Sequence, residues 1–186
     1  MFGTDPRTRT TTVAGGAVLL LLSAMALNRP DPDPAPPTAE AVVAECRRLY
    51  GELNPTFRTL PAQRFEVRKG DQLLRVSVSA ADEWISVCRS GPTGVDGVSG
   101  TRMSDGPDDQ LRLFSSKGSM LEQDLLLGHV PAGATGIEAR LASGETVTGD
   151  HDGEVFAIWA PGGDVAGAQV TAVGPGAAVI VTTTAP

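Results

Sequence analysis

Between Thr10 and Asn28 the chain carries no charge, and Val13 to Leu27 is almost continuously apolar. From Thr38 onward the pattern takes the periodicities of a folded domain. Val42, Cys46, Leu49 and Leu53 recur at helical spacing, with Glu45, Arg48 and Glu52 away from that stripe, so Thr38 to Leu53 is expected to form an amphipathic helix. Thr38 supplies a cap, Glu40 puts a carboxylate in the first turn, and Asn54-Pro55 closes the segment. Such a helix must lie on something apolar, and the β-hairpin that follows is the expected support.

In that hairpin, Phe65 and Val67 alternate with Arg64, Glu66 and Arg68. Lys69-Gly70-Asp71 forms the turn, and Leu74, Val76, Val78 and Ala80 alternate with Arg75, Ser77 and Ser79. A third strand, Trp84 to Arg89, sets Trp84, Ser86 and Cys88 on one side and Ile85 and Val87 on the other. A strand buried between a helix and another layer has this character. Gly91 to Gly118 is polar and Gly-rich, reading as irregular loops or edge strands, with a short strand candidate at Gln110 to Phe114. The strand pattern returns at Leu125 to Val130, Ile137 to Leu141, Glu145 to Thr148, Val155 to Trp159, Ala168 to Val173 and Ala178 to Thr183. The expected fold is mainly β: a β-sandwich or partly open barrel with one packed N-terminal helix, preceded by a signal or transmembrane helix.

The uncharged N-terminal stretch is preceded by Arg7 and Arg9 and followed by Asp31 and Asp33, the arrangement of an export signal with its positive end in the cytoplasm. It can act as a cleaved signal peptide, with Ala24-Met25-Ala26 as the small-residue site, or remain as a single-pass anchor. As a helix, 10–28 spans about 28 Å, close to the hydrocarbon thickness of a bilayer. The anchor is preferred, because the residues around the cut are themselves apolar. Arg29 to Pro37 (RPDPDPAPP) is an extended proline spacer. Three parts result: 1–28 signal anchor or signal peptide, 29–37 linker, and 38–186 an extracytoplasmic β-rich domain. The expected location is the cell membrane with the C-terminal domain outside, or, after cleavage, secretion.

Charge narrows the function classes. With 22 acidic against 15 basic residues, of which only Lys69 and Lys117 are lysines, the chain lacks a phosphate-tracking surface and is not expected to bind nucleic acid. In an exported chain, two cysteines are most simply one disulfide. Cys46 on the helix face and Cys88 on the third strand would be stapled together; a redox-active thiol and two buried free thiols are the alternatives.

Catalytic chemistry has few bearers. His151 sits in Gly149-Asp150-His151-Asp152-Gly153, which could form an Asp–His pair but reads first as a polar, exposed hairpin loop. His129 reads as a strand-end residue. Asp105, Asp108 and Asp109 are the densest acidic cluster, without the spacing of a calcium loop. Trp84 and Trp159 could line a carbohydrate or peptide groove, although strand alternation favours core roles. No cofactor and no metal are expected.

Gly128-His129-Val130-Pro131-Ala132-Gly133, then IEARLASGETVTG, then Asp152-Gly153-Glu154-Val155-Phe156-Ala157-Ile158-Trp159-Ala160-Pro161 resembles a pattern in uncharacterised actinobacterial membrane-anchored or secreted β-rich ectodomain proteins. The resemblance implies location and architecture and supplies no catalytic residues. The expected function is a non-enzymatic extracytoplasmic module that binds a protein or cell-envelope partner, and the membrane itself if the N-terminal helix is retained. Alternatives are a small envelope-acting hydrolase using Asp150, His151 and Asp152, or a purely structural envelope protein.

Overall fold

The computed structural model describes residues 35–103, 106, 107, 109–114 and 123–186. The apolar N-terminal stretch, most of the proline linker, Asp105 and Asp108 lie outside the described residues. Among the described residues no helix is long and apolar enough to cross a membrane. The fold is mainly β, and the described residues form two sheets and one α-helix.

Helix α1 covers Ala39–Leu53, and Thr38 caps it by accepting from the Ala41 N–H at 3.2 Å. Four antiparallel strands follow as a meander: β1 (Ala62–Lys69), β2 (Gln72–Ser79), β3 (Trp84–Gly91) and β4 (Gly94–Arg102). The β1–β2 connection is two residues long, and Gly70 takes a φ of 61° there, a conformation glycine adopts without the Cβ penalty. A second, seven-stranded sheet runs in the order β11-β10-β7-β8-β9-β6-β5. Its strands are β5 (Arg112–Phe114), β6 (Leu125–His129), β7 (Gly136–Arg140), β8 (Thr146–His151), β9 (Val155–Trp159), β10 (Gln169–Val173) and β11 (Val179–Thr184).

Strand β8 makes the larger sheet curl. Its residues Thr146 to Gly149 pair with β7, while Asp150 and His151 pair with β9. At the changeover sits Gly149, where a Cβ would meet Ile158 Cγ1 at 2.8 Å, so any larger residue would push the two strands apart. Because the sheet curls there, β9 is buried on both faces. Phe156 and Ile158 face an interior formed with Ile137, Ala139, Val147 and Val170. Val155, Ala157 and Trp159 face the four-stranded sheet, meeting Val67, Leu74, Val76, Val78, Ile85 and Val87.

The third strand behaves as its two-sided pattern implies. Ile85 and Val87 enter the core between the sheets, whereas Cys88 joins a small cluster under the helix with Val42, Cys46 and Tyr50. The helix does not lie chiefly on the β1–β2 hairpin as expected; its main support is β4 and β3, and it meets the hairpin through Tyr50, beside Ser77 and Arg75. The apolar positions of the hairpin are consumed by the second sheet, and its helix-facing positions are Arg75, Ser77 and Ser79, all buried. Arg75 is satisfied there by Glu66 Oε1 at 3.0 Å and Ser90 Oγ at 3.2 Å. The buried helix stripe is also displaced by one residue: Val42, Cys46 and Tyr50 are inside, and Leu53 is exposed.

Of the two readings of the Gly-rich segment, the edge strand holds for its first part: Gly91 to Arg102 is mostly strand β4, at the end of the four-stranded sheet. A bulge opposite Arg89 and Ser90 adds one residue, which returns Val95 and Val98 to the same helix-facing side. That insertion breaks the period-two signature by which a strand is recognised.

Candidate functional site

The two cysteines form a disulfide, Cys46–Cys88, across 42 positions of sequence with Cα atoms 5.9 Å apart. Both sulfurs are buried, and no free cysteine remains among the described residues. Beside it Tyr50 is almost wholly enclosed. Burial pushes its phenol up to about 12, only partly countered by the Ser77 hydroxyl and the Arg75 charge. The disulfide and Tyr50 together hold the helix on a sheet face that is largely polar.

The three residues proposed for chemistry are not brought together as a site. Asp150 and His151 are successive positions of β8, so their side chains leave the sheet on opposite faces. His151 is half-buried rather than exposed on a loop, and Asp150 is exposed. Asp152 belongs to the β8–β9 turn, and its Oδ1 accepts from the N–H groups of Glu154 at 2.9 Å and Val155 at 3.0 Å. Its Oδ2 holds Arg64 Nε at 2.6 Å, and Arg64 also reaches Glu154 at 2.6 Å. Burial alone would raise the Asp152 carboxyl; the two turn amides and Arg64 outweigh it and leave it below the usual range. The turn therefore clasps β1 onto the second sheet.

A second clasp, at Asp124, accepts from Trp159 Nε1 at 3.3 Å and faces Arg89 at 3.5 Å. Trp159 is thereby a core residue with a satisfied indole. Among the described residues no group of three or more His, Cys, Asp or Glu side chains is placed to hold a metal ion. His129 ends β6, opposite Arg112 and Val155.

Two other features are open to a partner. One is a cleft of about 560 Å³ at the end of the four-stranded sheet, lined by residues including Arg58, Asp82, Trp84 and Arg102. The other is strand β11, which among the described residues has a neighbour on one side only. Its sequence is VIVTTT, with Val179 67% and Ile180 41% exposed, and no charged residue occurs from Val165 to Pro186. Ala185 N–H bonds Ala168 at 2.8 Å, and with the register Gln169↔Thr184 this directs the Val181 and Thr183 backbone groups toward β10. The alternate residues, Thr182 and Thr184, turn their N–H and C=O outward. Natural edges are commonly blunted by Lys, Pro or an inward charge. This one carries only a bulge near Ile180. The uncharged β-branched run was the sequence signal for it, but its edge position was not legible without the strand order.

No family model matches the chain, and no curated protein or solved structure matches it either.

Proposed function

We propose that this chain is a non-enzymatic extracytoplasmic binding module, tethered to or secreted across the cytoplasmic membrane, that takes a protein partner along its C-terminal sheet edge. The observation that carries this reading is β11: an edge strand with outward backbone groups and exposed Val179 and Ile180, in a 22-residue segment without charge. An extended segment laid on it would satisfy those backbone groups and cover apolar surface at once. The Cys46–Cys88 disulfide and the uncharged stretch between Arg9 and Arg29 support an exported location. The use of Asp152 as a turn-former and clasp, rather than as a free carboxylate, weighs against the hydrolase reading.

A photocrosslinking residue at Thr182, compared with one at exposed Thr93 in the β3–β4 turn, tests the proposal in the native envelope. The expected result is an adduct from position 182, absent from 93, and abolished by Ile180→Lys. An adduct from both positions, from neither, or unaffected by Ile180→Lys would overturn the edge reading.

A further inference from the structure

The cleft at the end of the four-stranded sheet is formed by three pieces of chain: the exit of α1 (Asn54 to Arg58), the β2–β3 connection (Ala81 to Trp84) and the end of β4 (Arg102). Its volume, about 560 Å³, falls within the roughly 300–1,000 Å³ of small-ligand sites. The inventory of its polar groups is lopsided. Both Asp82 oxygens are engaged: Oδ2 accepts from Ser79 Oγ at 2.6 Å, and the pair accepts from the Arg58 N–H at 3.2 and 3.3 Å. The Ser79 hydroxyl first, and then the backbone N–H groups of Arg58 and Thr59, hold this carboxyl below its usual range. Asn54 Oδ1 is taken by the Thr56 N–H at 3.2 Å and hydroxyl at 2.7 Å.

Among the described residues, what faces the cleft without a partner is mostly donor: the Asn54 amide N–H₂ and the guanidinium of Arg102. The Arg58 guanidinium, with four-fifths of its side chain exposed, approaches Asp82 only at 3.9 Å. Among the described residues one acceptor without a partner stands beside them, the exposed carboxylate of Glu83, on a residue in the left-handed region (φ 51°, ψ 48°). Half-buried Trp84 sits directly opposite Arg102 in the β3–β4 ladder, and Phe57 props its ring edge-on at a centroid distance of 5.8 Å.

We infer that this cleft is a binding site for an acidic sugar, a pyranose bearing a carboxylate or phosphate. Two guanidiniums take the oxyanion. The Glu83 carboxylate needs hydroxyl donors, which a sugar supplies and a simple anion does not. The Trp84 indole offers an apolar wall to a sugar ring. The site is independent of β11, so failure of either proposal leaves the other standing.

The chain has two tryptophans and Trp159 is 1% exposed, so ligand-induced change in indole fluorescence reports on Trp84. Trigalacturonate, glucose 6-phosphate, maltotriose, inorganic phosphate and tetraglutamate are titrated against the oxidised full chain, with calorimetry as an independent readout. Saturable binding of trigalacturonate or glucose 6-phosphate, weakened about tenfold or more in Arg102→Gln, supports the site and identifies the oxyanion preferred. Equal binding of maltotriose overturns the need for an anion. Equal binding of inorganic phosphate or tetraglutamate overturns the need for a sugar. Binding by none of the five, or binding unchanged in both Arg102→Gln and Arg58→Gln, overturns the proposal. Both arginines are exposed and outside the cores, so these variants keep the fold, which circular dichroism verifies.

Discussion

Removing the Cys46–Cys88 disulfide by the double substitution Cys46→Ala/Cys88→Ala should cost this domain a large part of its stability. Its loop spans 42 positions, and the chain-entropy relation for a loop of that size gives about 4 kcal/mol. Little else can compensate locally. The cluster under the helix has four buried members, Val42, Cys46, Tyr50 and Cys88, with Phe57, Val95 and Val98 only partly buried against it, and the other sheet positions beside it are polar: Arg75, Ser77 and Ser86. A helix held by so small an apolar contact depends on its covalent tie. At roughly 2–4 °C per kcal/mol for a domain of this size, the expected fall in Tm is roughly 8–16 °C.

The assay is thermal unfolding followed by circular dichroism, with and without dithiothreitol. Reductant should lower the wild-type Tm toward that of the double variant and leave the double variant unchanged. Hydrogen exchange should locate the loss, with the amides of Ala39–Leu53 becoming unprotected before those of β9. A shift of under about 2 °C on reduction, with helix amides still protected, would refute the reasoning, since the helix would then be held by its packing alone.

Tyr50 is the only tyrosine, so absorbance titration at 295 nm observes it directly. Its midpoint should lie near 12 rather than near the ordinary 10, and ionisation should coincide with unfolding. The sign is that of a raised acid: the stabilising contribution is whole below pH of about 10 and is lost as pH rises through the folded value. The Asp152 carboxyl behaves oppositely. Its contribution is present above pH of about 4 and fades as pH falls through its lowered folded value. Asp152→Asn should therefore cost about 1–2 kcal/mol at pH 7 and much less at pH 3, as urea titrations at the two pH values would measure. Gly128→Ala places a Cβ against the Arg112 carbonyl and the Phe156 ring, and should destabilise by about 1–3 kcal/mol in the same assay, with β5 and β6 losing amide protection.

Local signals were readable along the chain, and nonlocal ones were not. The Thr38 cap, the Gly70 turn and the two-faced character of β3 each depend on a few consecutive residues, and each stands in the structure as its pattern implies. The cysteine pairing followed from placing Cys46 on a helix face and Cys88 on a strand face. Strand β4 was legible only as one of two readings, loop or edge strand, and its bounds were not, because a bulge shifts its alternation by one residue and its glycines mimic a loop; Gly100 is small because the Trp84 indole lies against it. Tyr50 was overlooked because Leu49 and Leu53 drew the apolar stripe to one side of its true line. The helix was assigned to the hairpin because the second sheet, which takes Val67, Leu74 and Val76, arises far later in the chain. For the same reason the cleft was invisible: its residues lie between Asn54 and Arg102 and meet only through strand pairing. The edge position of β11 depends on a strand order that no local pattern encodes.

Residue-resolved hydrogen exchange on β11, free and with the partner captured through Thr182, bears most directly on the binding function. In the free chain Val181 and Thr183 amides should be protected by β10, while Thr182 and Thr184 amides exchange at solvent-exposed rates. With partner bound, Thr182 and Thr184 should gain protection of about tenfold or more, and Ile180→Lys should prevent the gain. Partner binding that leaves the Thr182 and Thr184 amides exchanging as before would contradict the edge as the docking surface.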